Sequence, residues 1–81
     1  MSSALDAAVL QSLMELSGIS CRLVRAEEPD LENDTVEIGE DAFVEVDVDQ
    51  INIWEQGDDL TFKITHQVDR YQDVIDVFST R

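Results

Sequence analysis

The spacing of the apolar residues changes twice along the chain, and this limits the folds open to it. Residues 4–17 have helical spacing and predict a first helix, ended by Gly18 in the left-handed conformation. Residues 68–78 return to helical spacing and predict a second helix. Between these segments apolar and polar residues alternate with a period of two, which is typical of half-buried strands.

The alternating region predicts an antiparallel sheet of four or five strands. The clearest strand covers residues 42–48, where the valines point one way and Phe43, Glu45 and Asp47 point the other. The apolar phase changes parity at Asp49 and Gln50, so a bulge or tight turn is expected there. Strands grouped between two helices indicate an α+β fold, a single acidic domain over residues 1–81 with both helices packed on one sheet face.

The first helix has a wider apolar arc than a single sheet requires. Leu10 and Met14, with Ala7, form a second apolar strip beside the one that contains Leu5 and Val9. Either this helix is deeply embedded, or the second strip meets another copy of the chain. Leu10 and Met14 are therefore candidate residues for a homodimer contact.

The charge excludes several classes of direct partner. The 81 residues include 19 Asp and Glu against 5 Lys and Arg, a formal net charge of -14 at pH 7. Nucleic acid and anionic lipid both attract Lys and Arg, so we expect neither direct nucleic-acid binding nor membrane docking. The start of the chain lacks the basic segment of a signal peptide. The lone Cys21 cannot form an intramolecular disulfide, which favours a reducing, cytoplasmic location.

Few residues are suited to catalysis. The chain has one histidine, His66, and one thiol, Cys21. Nucleophilic catalysis needs a base within reach of the nucleophile and a group that orients it. We expect His66 to lie at the end of the last strand as a capping or surface residue, and Cys21 to act as a small core hydrophobe. The chain is therefore not expected to be an enzyme.

The abundant carboxylates do not form a recognisable metal motif. Glu45, Asp47 and Asp49 have the spacing of a calcium-binding loop. Gln50 replaces the glycine that such a loop needs at its sixth position, and Gln56 replaces the bidentate acid at its twelfth. We expect no dedicated metal site and no cofactor.

The acidic residues are concentrated in one part of the sequence. Residues 26–62 contain 14 acids and no Lys or Arg, whereas ordinary surfaces intersperse both signs. On an extended strand, residues two apart are separated by about 6.8 Å, on the order of the phosphate spacing in a nucleic acid strand. The predicted partner-binding residues of this window are Glu37, Phe43, Glu45, Asp47, Asp49, Trp54, Asp58 and Asp59. A second acidic stripe is predicted on the last helix, formed by Asp69, Asp73 and Asp76.

These features suggest a nucleic-acid mimic that occupies the basic groove of a nucleic-acid-binding protein. Such association is fast and salt-sensitive because of electrostatic steering. Phe43 and Trp54 are candidate apolar anchors, since aromatic residues concentrate at binding hot spots. In size and charge alone, the chain resembles small decoy inhibitors such as uracil-DNA glycosylase inhibitors and some anti-CRISPR proteins of phages.

Two other interpretations remain open. The chain is equally compatible with an acidic interaction module, such as an immunity protein, an antitoxin or a secretion chaperone, that covers a basic partner. A generic acidic domain of a halophile is the other alternative, because one Lys against four Arg fits that composition.

Overall fold

A computed structural model describes residues 4–26 and 33–80. The five strands form one antiparallel sheet in the order β1-β2-β3-β4-β5, so each strand pairs with its neighbours in sequence. A helix precedes the sheet and another follows it, which confirms the predicted α+β fold. The elements are α1 (Ala7–Leu16), β1 (Arg22–Val24), β2 (Thr35–Ile38), β3 (Ala42–Val46), β4 (Ile51–Gln56), β5 (Phe62–Val68) and α2 (Tyr71–Ser79).

Local hydrogen bonds fix both ends of α1. The Asp6 carboxylate accepts a hydrogen bond of 2.8 Å from the backbone N–H of Ala8, which satisfies one of the free N–H groups of the first turn. The helix therefore begins at Ala7, three residues later than the spacing predicts. At its end Gly18 adopts a φ of 85°, as predicted, and the Ile19 N–H donates to the Met14 carbonyl at 2.9 Å.

Both helices cover the same face of the sheet. The buried apolar strand residues pair with one another across the sheet, as Val36 does with Val44 and Val44 with Ile53, which places their side chains on a single face. They form one hydrophobic cluster with the buried residues of α1 and α2, and its fully buried large side chains are Leu10, Met14, Val36, Val44, Ile51, Ile53 and Val74. We call this the helix side of the sheet, and the opposite side the open face.

The broad apolar arc of α1 results from deep embedding. Leu10 and Met14 have no exposed side-chain surface, and the neighbouring Ala7 is also buried. Of the two alternatives for this helix, the structure shows deep embedding, which leaves Leu10 and Met14 no surface with which to contact a second copy. Their burial instead stabilises the fold, by about 1.5–3 kcal/mol for a side chain of this size.

The clearest predicted strand is shorter than expected. β3 ends at Val46, and residues 47–50 form the turn that leads into β4, with Val46 paired to Ile51. Two hydrogen bonds close this turn: the Asp47 N–H donates to the Gln50 carbonyl at 2.8 Å, and the Val48 N–H donates to the Asp47 carboxylate at 2.7 Å. The predicted turn at Asp49 and Gln50 is confirmed. The prediction that the strand continues to Val48 is wrong.

The C-terminal segment returns to α1. β5 continues to Val68, so His66 lies inside the strand rather than at its end. After the bend at Asp69 and Arg70, α2 places Val74, Ile75 and Phe78 in the core. The Tyr71 hydroxyl accepts a hydrogen bond of 2.7 Å from the Asp6 N–H and so joins the starts of the two helices.

The helices are also short. In the part of the chain that the structure describes, α1 has 10 residues, α2 has nine, and no helix combines the length and apolar character needed to cross a bilayer.

Candidate partner-binding face

The open face is the surface on which the predicted anchors lie. The register pairs Phe43 directly with Trp54, and Trp54 with Ile64 across the next strand boundary. Paired residues of an antiparallel sheet project from the same face. The open face therefore carries, from β1 to β5, the residues Arg22, Val24, Thr35, Glu37, Phe43, Glu45, Asn52, Trp54, Gln56, Phe62, Ile64 and Gln67.

Three aromatic rings on β3, β4 and β5 form a contiguous group on this face, and Phe43 contacts both of the others. The centroids of Phe43 and Trp54 lie 5.6 Å apart with an interplanar angle of 9°, and those of Phe43 and Phe62 lie 5.3 Å apart at 53°. Such contacts each contribute about 0.5–1.5 kcal/mol beyond the buried area. We call Phe43, Trp54 and Phe62 the aromatic row.

The indole of Trp54 has an unusual environment. Its Nε1 atom is buried, and no hydrogen-bond acceptor among the described residues reaches it. A buried donor without an acceptor costs about 1–3 kcal/mol. The buried position of Trp54 therefore carries an energetic cost, which its stacking on Phe43 opposes.

Sequence reasoning missed Phe62 and Ile64 as open-face residues. The alternation of Leu60, Phe62 and Ile64 indicated a strand, but alternation alone does not say which phase faces the helices. The register places Phe62 and Ile64 on the open face, where they remain 38 % and 41 % exposed. A shift in register opposite Ile53 and Trp54 changes the parity of β5 in mid-strand.

The acidic residues lie mainly at the two ends of the open face. Asp47 and Asp49 belong to the turn between β3 and β4, and we call this the turn end. At the opposite end, the β2–β3 turn and the β4–β5 hairpin meet through a hydrogen bond of 2.8 Å from the Gln56 N–H to the Asp41 carbonyl. We call this second acidic cluster the hairpin end; it contains Glu40, Asp41, Asp58 and Asp59.

The predicted regular spacing of acids along the central strand is not present. Glu45 lies on β3, but Asp47 and Asp49 follow the end of that strand and are held in the turn. Glu45 also accepts a hydrogen bond of 3.2 Å from the Asn52 amide, and Glu37 forms an ion pair with Arg22. The acids therefore flank the aromatic row and do not form a single line of charges.

Each described Lys and Arg lies within 4.0 Å of a carboxylate. In addition to Arg22 with Glu37, the pairs are Arg25 with Asp34 at 4.0 Å, Lys63 with Asp59 at 3.6 Å, and Arg70 with Asp73 at 3.0 Å. The basic side chains are all more than half exposed, so each pair contributes only about 0–1 kcal/mol.

The predicted acids differ in how far their charge is already engaged. Hydrogen bonds from the Thr61 hydroxyl and N–H lower the pKa of the Asp59 carboxyl, which also lies near Lys63. In contrast, no cation of residues 4–26 or 33–80 forms an ion pair with Asp47, Asp49 or Asp58. These three exposed carboxylates are the predicted site residues most available to a basic partner.

The predicted second acidic stripe is interrupted. Asp73 is paired with Arg70, whose hydrogen bond lowers the pKa of the Asp73 carboxyl. Asp76 accepts a hydrogen bond of 2.9 Å from the Gln72 amide. Asp69 precedes α2 and lines the same shallow depression as Gln50. Because α2 lies on the helix side, Asp73 and Asp76 do not share a surface with the aromatic row.

The residues considered for catalysis lie at opposite sides of the sheet. Cys21 immediately precedes β1, and burial raises the pKa of its thiol, which donates to the Gln11 carbonyl at 3.6 Å. His66 lies on β5 with its Nδ1 3.7 Å from the Glu55 carboxylate. In residues 4–26 and 33–80, no three His, Cys, Asp or Glu side chains converge as metal ligands would.

Comparison with models of known protein families, with curated protein sequences and with solved structures found no match.

Proposed function

We propose that the chain is a binding protein without enzymatic activity, and that its open face docks on the basic surface of a nucleic-acid-binding protein. Occupation of that surface would exclude the natural DNA or RNA. The observation that supports this function is the combination of the aromatic row on the open face with exposed carboxylates at both ends of that face. The residues involved are Phe43, Trp54 and Phe62 in the row, with Asp47, Asp49 and Asp58 at the ends.

The acidic charge attracts a basic partner and accelerates its association. Close like charges destabilise a fold, and the described basic residues compensate other acids rather than Asp47, Asp49 and Asp58. A basic partner would relieve this repulsion on binding. Encounter between such surfaces is accelerated by electrostatic steering and slows as salt is added.

The aromatic row supplies the contact that charge alone lacks. Rim charges at interfaces mainly affect the rate and selectivity of association, whereas buried aromatic anchors provide most of the affinity. Phe43 and Trp54 are half-buried, and Phe62 is 38 % exposed. The row therefore offers an apolar group whose remaining surface a partner can cover.

The position of the acids favours docking on a basic surface over strict imitation of a phosphate backbone. With Asp47 and Asp49 in a turn, the regular strand spacing is lost, while the acidic ends remain. This arrangement also suits an acidic interaction module, such as an immunity protein, antitoxin or secretion chaperone, that covers a basic partner of another kind. Competition by nucleic acid distinguishes the two functions.

The test is capture from a lysate of the source cells, followed by elution with nucleic acid. Immobilised protein is loaded with lysate, and bound proteins are eluted with duplex DNA or RNA, or with NaCl of matched ionic strength as control. We expect to capture nucleic-acid-binding proteins that DNA or RNA releases from the immobilised protein and that NaCl of matched ionic strength does not release. Capture only of proteins that nucleic acid fails to release would contradict the mimic and favour the acidic module.

A further inference from the structure

A depression of about 300 Å³ lies beside the aromatic row, next to the hairpin end. The centroids of two rings that line it, those of Phe43 and Phe62, are 5.3 Å apart at an angle of 53°. Aromatic residues, acids and small residues together form its lining: Phe43, Phe62, Glu37, Glu40, Gly39 and Ala42. Two aromatic rings and two carboxylates therefore share one concave surface.

The sheet register places Glu37 next to these rings. Glu37 pairs with Phe43 on β3 and, on its other side, with Arg22 on β1, so all three side chains project from the open face. Directly paired residues of neighbouring strands have Cβ atoms about 4.5–5.5 Å apart. A group that covers the Phe43 ring from solvent is therefore within reach of the Glu37 carboxylate.

The depression is acidic and has no cation in its lining. Among the described residues, no Lys or Arg lines it, and none forms an ion pair with Glu40, which is exposed in the β2–β3 turn. Arg22 contacts Glu37 from the β1 side, through the Oε1 atom only. Because the face of an aromatic ring also attracts positive charge, rings and carboxylates here favour the same kind of ligand, a cation.

A guanidinium suits this lining better than an ammonium. It is planar and weakly hydrated, so its face stacks on an aromatic ring while the N–H groups at its edge donate to carboxylates. A lysine ammonium is a compact, strongly hydrated charge without a face that stacks. The structure already contains a guanidinium on one of these carboxylates, since Arg22 binds Glu37.

The geometry points to a binding site for one arginine side chain of the partner protein. Its guanidinium lies against Phe43 and Phe62 and donates hydrogen bonds to Glu37 and Glu40. This inference deepens the proposed function and rests on it for the identity of the partner, because surfaces that bind nucleic acid use arginine to contact phosphates and bases. An arginine held in this depression is not available to DNA or RNA.

Arg22 competes with the partner's arginine for Glu37. The Arg22 side chain is 75 % exposed, and ion pairs between exposed side chains are weak, so this contact does not close the site. Arg22→Gln leaves the Glu37 carboxylate free and should strengthen binding of a guanidinium. Arg70→Gln is the matched control, because it makes the same charge change at an arginine paired with Asp73 on the helix side.

Two-dimensional ¹H–¹⁵N NMR of the full chain tests the site without a captured partner. The probe is N-acetyl-arginine amide, added at constant ionic strength, and the matched probes are the lysine analogue and the neutral citrulline analogue. Glu40→Gln removes a carboxylate of the site, and Phe62→Leu removes a ring but keeps an apolar side chain. Glu15→Gln, at an exposed residue of α1, is the control for charge. The spectra themselves verify that each variant is folded.

We expect the arginine probe to shift the backbone amide signals around the depression in a saturable way. The lysine probe should bind at least about threefold more weakly, because it lacks the stacking face, and the citrulline probe should give no saturable shift. Glu40→Gln and Phe62→Leu should each weaken the arginine probe by about threefold or more, whereas Glu15→Gln should leave it nearly unchanged. Arg22→Gln should strengthen it more than Arg70→Gln does.

Shifts that spread over all acidic surfaces without saturating would overturn the arginine site, and so would equal binding by wild type and a folded Phe62→Leu variant. Either result leaves the proposed function standing if nucleic acid still releases the captured proteins. A saturable arginine site in a chain whose captured proteins resist nucleic acid would instead refute the proposed function and retain the site.

Discussion

The rings of Phe43 and Trp54 stack across strands β3 and β4, with centroids 5.6 Å apart and an interplanar angle of 9°, on the face of the sheet that the helices leave open. Most aromatic residues of so small a domain would be expected in its core. Here Phe78 fills the helix side, while Phe43, Trp54 and Phe62 share the open face. The acidic turn and hairpin ends lie on either side of this row.

The contribution of the aromatic row to stability can be measured with Phe43→Ala. This variant removes both ring contacts of Phe43 and should lower the free energy of unfolding by about 1–3 kcal/mol. Urea unfolding is followed by the fluorescence of Trp54, the only tryptophan. The control, Val48→Ala, changes an exposed side chain and should stay within about 0.5 kcal/mol of wild type. Equal stability of the two variants would show that the ring contacts contribute nothing.

The embedding of α1 predicts a contrast between two neighbouring positions. Leu10→Ala creates a cavity beneath a fully buried side chain and should cost about 2–5 kcal/mol. Val9→Ala changes a side chain that is 44 % exposed and should cost less than about 1 kcal/mol. Chemical denaturation measures both. A small effect of Leu10→Ala would contradict the position of α1 on the sheet.

The ion pair of Asp73 with Arg70 predicts a pH-dependent contribution to stability. The hydrogen bond from Arg70 lowers the pKa of the Asp73 carboxyl below its ordinary value of 3.8. A lowered pKa in the folded state stabilises it above the unfolded value, and this stability is lost as pH falls through the folded pKa. Asp73→Asn should therefore be less stable than Asp76→Asn at pH 7, and the difference should shrink as pH falls below about 3.8.

Comparison of these two variants removes the effect of overall charge. Each converts one exposed or half-exposed carboxylate of α2 into an amide, so each relieves the same general repulsion. Of these two carboxylates, only that of Asp73 has a guanidinium nitrogen, from Arg70, at 3.0 Å. Thermal melts of both variants across pH 2.5–7 are sufficient, and a pH-independent difference between them would rule out the ion pair as its cause.

Local spacing predicted the fold because it depends on short-range geometry. Helical period, strand alternation, the left-handed Gly18 and the parity change at Asp49 and Gln50 are all encoded within a few residues. β3 ends two residues earlier than its alternation predicts, because two hydrogen bonds of the following turn, both involving Asp47, replace continued pairing.

Which phase of each element faces the core could not be read from the same spacing. The embedding of Leu10 and Met14 depends on contacts with distant strands and with α2. The outward position of Phe62 and Ile64 depends on the register between β4 and β5, including its shift opposite Trp54. Pairing of Arg70 with Asp73 requires side-chain geometry that the sequence does not give.

The affinity for a basic partner should depend on the salt concentration. Binding of a basic partner to the open face should weaken as NaCl rises from about 0.05 to 0.5 M, because screening reduces attraction between opposite charges. Titrations of a captured partner at a series of NaCl concentrations measure this effect. Binding that is insensitive to salt would argue against an electrostatic interface.

The central claim is that the open face and its acidic ends exclude nucleic acid from a basic surface. Fluorescence anisotropy measures it directly, with labelled DNA or RNA bound to a captured partner and the protein added as competitor. Two variants remove two carboxylates each: Asp47→Asn with Asp49→Asn at the turn end, and Glu15→Gln with Asp76→Asn on the helices.

We predict that the wild-type protein and the helix variant displace the nucleic acid at similar concentrations. The turn-end variant should need about tenfold more protein, which corresponds to roughly 1.4 kcal/mol of lost binding free energy. Nucleic acid that stays bound in a ternary complex, or equal displacement by both variants, would contradict the account.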